Sequence, residues 1–120
     1  MKEFNIVIVD DDTGVLNLYK DIFTSLEEKY QIKYFTNPLG AEGAEGAINE
    51  KTKLLITDFD FGIIGINGEI LIKQSREKYP ELKAVMITGS SFIPQVSCMR
   101  IKKPIHDMDA LQKAVQDYIA

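Results

Sequence analysis

The chain has 120 residues, 45% of them hydrophobic and 27% charged, with a net charge of −4. That suffices for one ordinary globular domain over residues 1–120, with one modest core, and not for two. The acid excess argues against nonspecific binding to nucleic acid or to an anionic membrane surface, and no run is long and apolar enough to span a bilayer.

The single cysteine, Cys98, permits no internal disulfide and suits a reducing, cytoplasmic setting. Near the N-terminus a short apolar run meets three acids, which is unlike a secretory signal.

Residues 4–9 (Phe-Asn-Ile-Val-Ile-Val) are Ile- and Val-rich, the pattern of a strand buried on both faces. From Thr13 the period changes. Val15, Leu16, Tyr19, Ile22, Phe23 and Leu26 form a helical stripe, with Asp12 and Thr13 as candidate caps. Residues 31–35 make a second strand. A weak helix is expected from Pro38 to about Asn49, interrupted by Gly40, Gly43 and Gly46, which reflect either close packing or local looseness. Residues 53–57 are a third strand, followed by an apolar loop to Ile66 with Gly62 and Gly65 as turn residues. A helix over 67–78 stops at Tyr79-Pro80. Residues 83–88 and 96–102 are the fourth and fifth strands, joined by a connection over 89–95 too short for a full helix. A last helix covers 107–119. Alternation of this kind predicts an α/β three-layer sandwich: a parallel sheet with helices on both faces.

Asp58 closes the third strand and opens the loop Asp58-Phe59-Asp60-Phe61-Gly62. The first strand closes on Asp10-Asp11-Asp12. In an open parallel sheet, residues at C-terminal strand ends line the ligand crevice. Carboxylates crowded there need a counter-charge, and a hard divalent cation is the simplest. Thr88 ends the fourth strand, and Lys103-Pro104 follows the fifth. Each feature alone has a plain reading. The acids alone read as a solvated turn and helix cap, Thr88 as a strand end, Lys103 as a surface charge. Their order and their common edge are what argue for a site.

This ordered set resembles the receiver domain of two-component response regulators, over essentially the whole chain. The resemblance implies the flavodoxin-like strand order 2-1-3-4-5. It also implies a phosphoacceptor signalling domain rather than an enzyme, fed by a histidine kinase or phosphotransfer protein and acting on an output partner not named by the sequence. By the same resemblance Asp58 is the phosphoacceptor. Asp10 and Asp11 are the metal pair, and Mg²⁺ takes oxygens from them, from Asp58 and from the backbone carbonyl of Asp60. Thr88 and Lys103 engage the phosphoryl oxygens, and the Lys103-Pro104 peptide is cis in many members.

Three departures stand out. Thr88 and Lys103 lie 15 positions apart, closer than in typical members, so the helix between strands four and five is expected to be missing or reduced. Arg100 stands where a switch aromatic is usual. The loop after Asp58 carries Gly62-Ile63-Ile64-Gly65 in place of a proline, and Asp60 borders the path of an attacking water. These departures motivate the alternative of a receiver-like interaction module independent of phosphate. Asp58-Phe59-Asp60 after an apolar strand also looks like the start of a haloacid dehalogenase-type hydrolase, although that family places its acid pair late. Ile63, Ile64 and Ile66 either pack inward or form an exposed patch. Cys98 is expected to be a buried small residue within the fifth strand. His106 makes no case for metal binding or catalysis.

Overall fold

The computed structural model describes residues 2–91 and 94–120. Phe92 and Ile93, in the expected 89–95 connection, lie outside the described residues. The strands are β1 Phe4–Val9, β2 Tyr30–Phe35, β3 Thr52–Thr57, β4 Lys83–Thr88 and β5 Met99–Lys102. The helices are α1 Thr13–Ile22, α2 Ala44–Ala47, α3 Gly68–Lys78 and α4 Met108–Ile119, with a 3-10 turn at Thr24–Glu28. All neighbouring strands pair in parallel, in the order β2-β1-β3-β4-β5. This is the flavodoxin-like order expected.

The two-sided burial of the central strands follows from their pleat, because successive side chains leave opposite faces. Ile6 and Ile8 of β1 join Leu54, Ile56, Val85 and Ile87 against Leu16 and Tyr19 of α1 and Leu111 and Val115 of α4. Val7 and Val9 join Leu55, Ala84 and Met86 against Ala44 of α2 and Leu71 and Ile72 of α3. Each such aliphatic side chain is worth roughly 1.5–3 kcal/mol when fully buried. The sheet is therefore held from both sides, and its C-terminal edge is a rigid base for a site.

Several expected bounds shift. The α1 stripe runs on to Leu26, but the helix closes at Ile22 and the chain tightens into the 3-10 turn; Leu26 is still buried. The second helix shrinks to one turn, Ala44–Ala47. Gly40 is left-handed (φ 85°), which ends any helix begun at Pro38. Close packing explains Gly43, since a Cβ there would stand 2.2 Å from the Leu39 carbonyl oxygen. β5 starts at Met99 rather than 96, so Cys98 precedes the strand instead of lying within it, and is half-buried. Among the described residues no helix separates β4 from β5. No helix of the described residues is long and apolar enough to cross a membrane.

Candidate functional site

The parallel register sets the strand ends side by side. Val9 pairs with Thr57, Thr57 with Met86, and Thr88 with Lys102. The ladder then runs one residue past β1, β3 and β5. The Asp10 N–H donates to Phe35 O (3.1 Å), the Asp58 N–H to Val9 O (3.3 Å) and the Lys103 N–H to Thr88 O (3.0 Å). The functional side chains thus sit on backbone already fixed by the sheet.

Lys103 joins them. Its Nζ donates to Asp10 Oδ2 at 2.6 Å and to Asp58 Oδ2 at 2.9 Å. The other oxygens are held locally. Asp10 Oδ1 accepts from the Asp12 N–H (2.9 Å), and Asp58 Oδ1 from the Phe59 N–H (2.6 Å). Asp12 caps α1 as expected, accepting from the Gly14 and Val15 N–H groups. Asp10 is 1% exposed, whereas Asp11 faces solvent. One carboxylate oxygen from each of Asp10, Asp11 and Asp58 lies within 4.8 Å of the others.

Burial pushes the Asp10 carboxyl above the usual carboxylate range, and the Lys103 contact and the Asp12 N–H offset part of that rise. Burial works against the charge on Lys103, yet its bonds to Asp10 and Asp58 outweigh this and hold the ammonium group above its ordinary value. The arrangement is a partly buried cation shared by two carboxylates, with a third acid at the solvent edge.

Thr88 is 2% exposed at the end of β4, and its Oγ1 accepts from the Ser90 N–H at 3.2 Å. The Lys103-Pro104 peptide is cis. The Asp60 carboxylate turns back into its own loop, accepting from the Gly62 N–H (2.8 Å), and does not join the acidic trio. That leaves the dehalogenase-type Asp-x-Asp pairing without its second acid. Arg100 points to solvent. Ile66 and Phe61 are buried and pin the loop on both sides, while Ile63 and Ile64 are exposed at its tip between Gly62 and Gly65, both of positive φ.

The loop after Asp58 is clamped to α3. Asn67 caps the helix through the Ile70 N–H, and the Gly68 N–H donates to Phe59 O at 2.7 Å. A Cβ at Gly68 would lie 2.1 Å from the Asp58 carbonyl oxygen. Two features escaped the sequence reading. Lys103 serves Asp10 as well as the expected acceptor. Tyr19, read only as part of the helical stripe, has its hydroxyl buried with no hydrogen-bond partner. Burial, then the charges of Asp10 and Asp58, raise its phenol far above the ordinary value. No local pattern marks either, since both depend on what the sheet edge places nearby.

Comparison with family models and with curated protein sequences gives no match. Solved structures do match along the whole chain. A CheY-like response regulator receiver domain protein from Methanospirillum hungatei superposes with a TM-score of 0.75 at 23% identity, covering 97% of this chain and 93% of that one. The response regulator TrrA from Thermotoga maritima, solved in complex with Mg²⁺-BeF, gives 0.71 at 25% identity over 98% of both chains. A BeF3-activated DrrB receiver domain gives 0.76 at 18% identity over 99% and 98%. With its five parallel strands in the order β2-β1-β3-β4-β5 and its acids, threonine and lysine at their ends, the chain has the receiver-domain fold of two-component response regulators.

Proposed function

We propose that this chain is a phosphoacceptor signalling domain that takes a phosphoryl group on Asp58 from a histidine kinase or phosphotransfer protein, in the cytoplasm, and passes the change to an output partner. The observation that carries the reading is the shared Lys103 ammonium group, within hydrogen-bond distance of both Asp10 and Asp58 at one strand edge. The likeness to receiver structures solved with Mg²⁺-BeF or activated by BeF3 supports it.

The donor set suits magnesium. Carboxylate oxygens are what a hard divalent cation prefers, and three acids offer them within 4.8 Å. Asp10, Asp11 and Asp58 would hold it, with the backbone carbonyl of Asp60 as a further ligand. When bound, Mg²⁺ supplies charge neutralisation for the phosphoryl oxygens.

In the transfer, an Asp58 carboxylate oxygen forms the new P–O bond as the donor's P–N or P–O bond breaks, and that electron pair leaves with the donor. Lys103 is a point charge for the added oxygens. Thr88 turns its hydroxyl from the Ser90 N–H to donate to one of them. Phosphorylation and its loss both use these residues of the domain itself, so the domain is a signalling element rather than a turnover enzyme.

A second reading, an interaction module that does not depend on phosphate, is favoured by two observations: among the described residues no helix lies between β4 and β5, and Arg100 is exposed in the strand that follows. Intact-mass measurement after incubation with Mg²⁺ and acetyl phosphate separates the two. The first expects a mass gain of one phosphoryl group that Asp58→Ala abolishes. No gain, and no response to beryllofluoride, supports the second.

A further inference from the structure

Glu69 is the acidic residue of the first turn of α3, and it is largely buried, with its side chain 12% exposed. An acid at a helix N-terminus is ordinarily favoured while solvated. A buried carboxylate is costly unless hydrogen-bonded. Glu69 meets that requirement across the fold: its Oε2 accepts from the Gln95 backbone N–H at 2.6 Å. Its Oε1 lies 3.5 Å from Lys73 Nζ, which is half exposed.

Gln95 belongs to the β4–β5 connection, whose described residues, 89–91 and 94–98, form neither helix nor strand. The N–H groups of such a segment have no ladder to join and need partners from elsewhere. Glu69 supplies one of them, and as a charged acceptor it makes a stronger bond than a neutral one. Val96 and Cys98, just beyond, pack against the core face that includes Leu71 and Ile72 of α3. On its other side Glu69 follows Gly68, whose backbone abuts the Asp58 carbonyl oxygen. One carboxylate therefore links the helix seated on Asp58 to a segment that begins after Thr88 and ends at the strand leading to Lys103.

We propose that Glu69 is a positioning residue that tethers residues 94–98 to the start of α3, so that a displacement at Asp58 and Thr88 is transmitted to that segment. The tether stands on the geometry alone. The transmission rests on the phosphoacceptor reading above.

Cys98, the sole cysteine of the chain, is a built-in reporter three residues beyond Gln95. Its thiol is raised chiefly by burial, and the charges of Arg76, Glu69 and Arg100 reach it. Glu69→Ala and Glu69→Gln remove the same charge, but a glutamine oxygen still accepts from the Gln95 N–H. Comparing them isolates the hydrogen bond.

The experiment measures the rate of Cys98 labelling by a disulfide reagent at fixed pH in the wild type and both variants. Each is taken with and without Mg²⁺ and beryllofluoride, and phosphoryl uptake is scored separately by intact mass. We expect Glu69→Ala to label at least about fivefold faster than Glu69→Gln, the loss of one net hydrogen bond. We also expect beryllofluoride to change the rate in the wild type and in Glu69→Gln but not in Glu69→Ala. Equal labelling of the two variants overturns the tether. An equal beryllofluoride response in Glu69→Ala overturns the transmission. A wild type with neither phosphoryl uptake nor beryllofluoride response defeats the phosphoacceptor reading and the transmission with it, while the two variants still decide the tether.

Discussion

Lys103 Nζ lies 2.6 Å from Asp10 Oδ2, closer than its 2.9 Å approach to Asp58. Asp10 is the more deeply buried of the two acids, with a side chain 1% exposed against 11% for Asp58. The lysine is thus the counter-ion of a buried acid as well as the partner of Asp58.

Lys103→Met tests this. It leaves Asp10 buried without its cation, and removing one partner of a buried pair costs roughly 3–5 kcal/mol. We expect that loss in chemical denaturation without divalent cation. Saturating Mg²⁺ should recover part of it, because a ligand that binds only the native state stabilises it. An unchanged midpoint without Mg²⁺ would show that Asp10 does not depend on Lys103.

Asp11→Ala removes the solvent-edge member of the acidic trio while leaving the Lys103 bonds in place. We expect Mg²⁺ affinity, followed by NMR titration of site amides, to fall at least about tenfold, with little change in metal-free stability. Equal affinity would contradict the magnesium assignment.

Gly68→Ala sets two effects against each other. Alanine gains up to about 1 kcal/mol over glycine within a helix. Its Cβ would meet the Asp58 carbonyl oxygen at 2.1 Å, a backbone atom with no room to yield. Overpacking of this kind costs about 1–3 kcal/mol, so destabilisation wins. The same displacement should slow phosphoryl uptake from acetyl phosphate. A variant more stable than the wild type would refute the contact.

Tyr19→Phe deletes a buried hydroxyl that has no partner. The ring and its tilted packing on Phe23 at 5.9 Å are retained. We expect stabilisation of about 1 kcal/mol, seen as a rise of a few degrees in Tm. A clear loss of stability would mean that the hydroxyl is bonded after all.

Tyr34 provides the pH test. Burial, then the charge of Glu27, push its phenol up to about 12. The native state thus holds this proton more tightly than the unfolded chain, whose phenol titrates near the ordinary value of 10.0. The resulting contribution to stability is fully present below pH 10.0 and is lost as pH rises through about 12. Native-state absorbance titration should show a phenolate step near 12 that Tyr34→Phe removes. Persistence of that step in the variant would assign it to another tyrosine.

Much of the fold could be read locally. The all-apolar β1 and β3, the stripes of α1 and α4, the Asp12 cap and the stop at Tyr79-Pro80 are written in neighbouring residues. So are the acids at the ends of β1 and β3 and Lys103 after β5, because alternation and helical period are short-range signals. The second helix could not be read this way. Its glycines carry one local cost, but whether a turn survives depends on backbone approaches such as Gly43 to Leu39.

The sequence by itself determined which side chains reach the C-terminal edge of the sheet, since Asp10, Asp58 and Lys103 each follow their strand by one residue and Thr88 ends its own. Only the tertiary structure decided how they pair. Lys103 and Asp10 are 93 positions apart, and Glu69 and Gln95 26. A hydrogen bond acts over about 3 Å, so no local pattern can register partners that meet only once the parallel ladder has closed and the β4–β5 connection has packed onto α3.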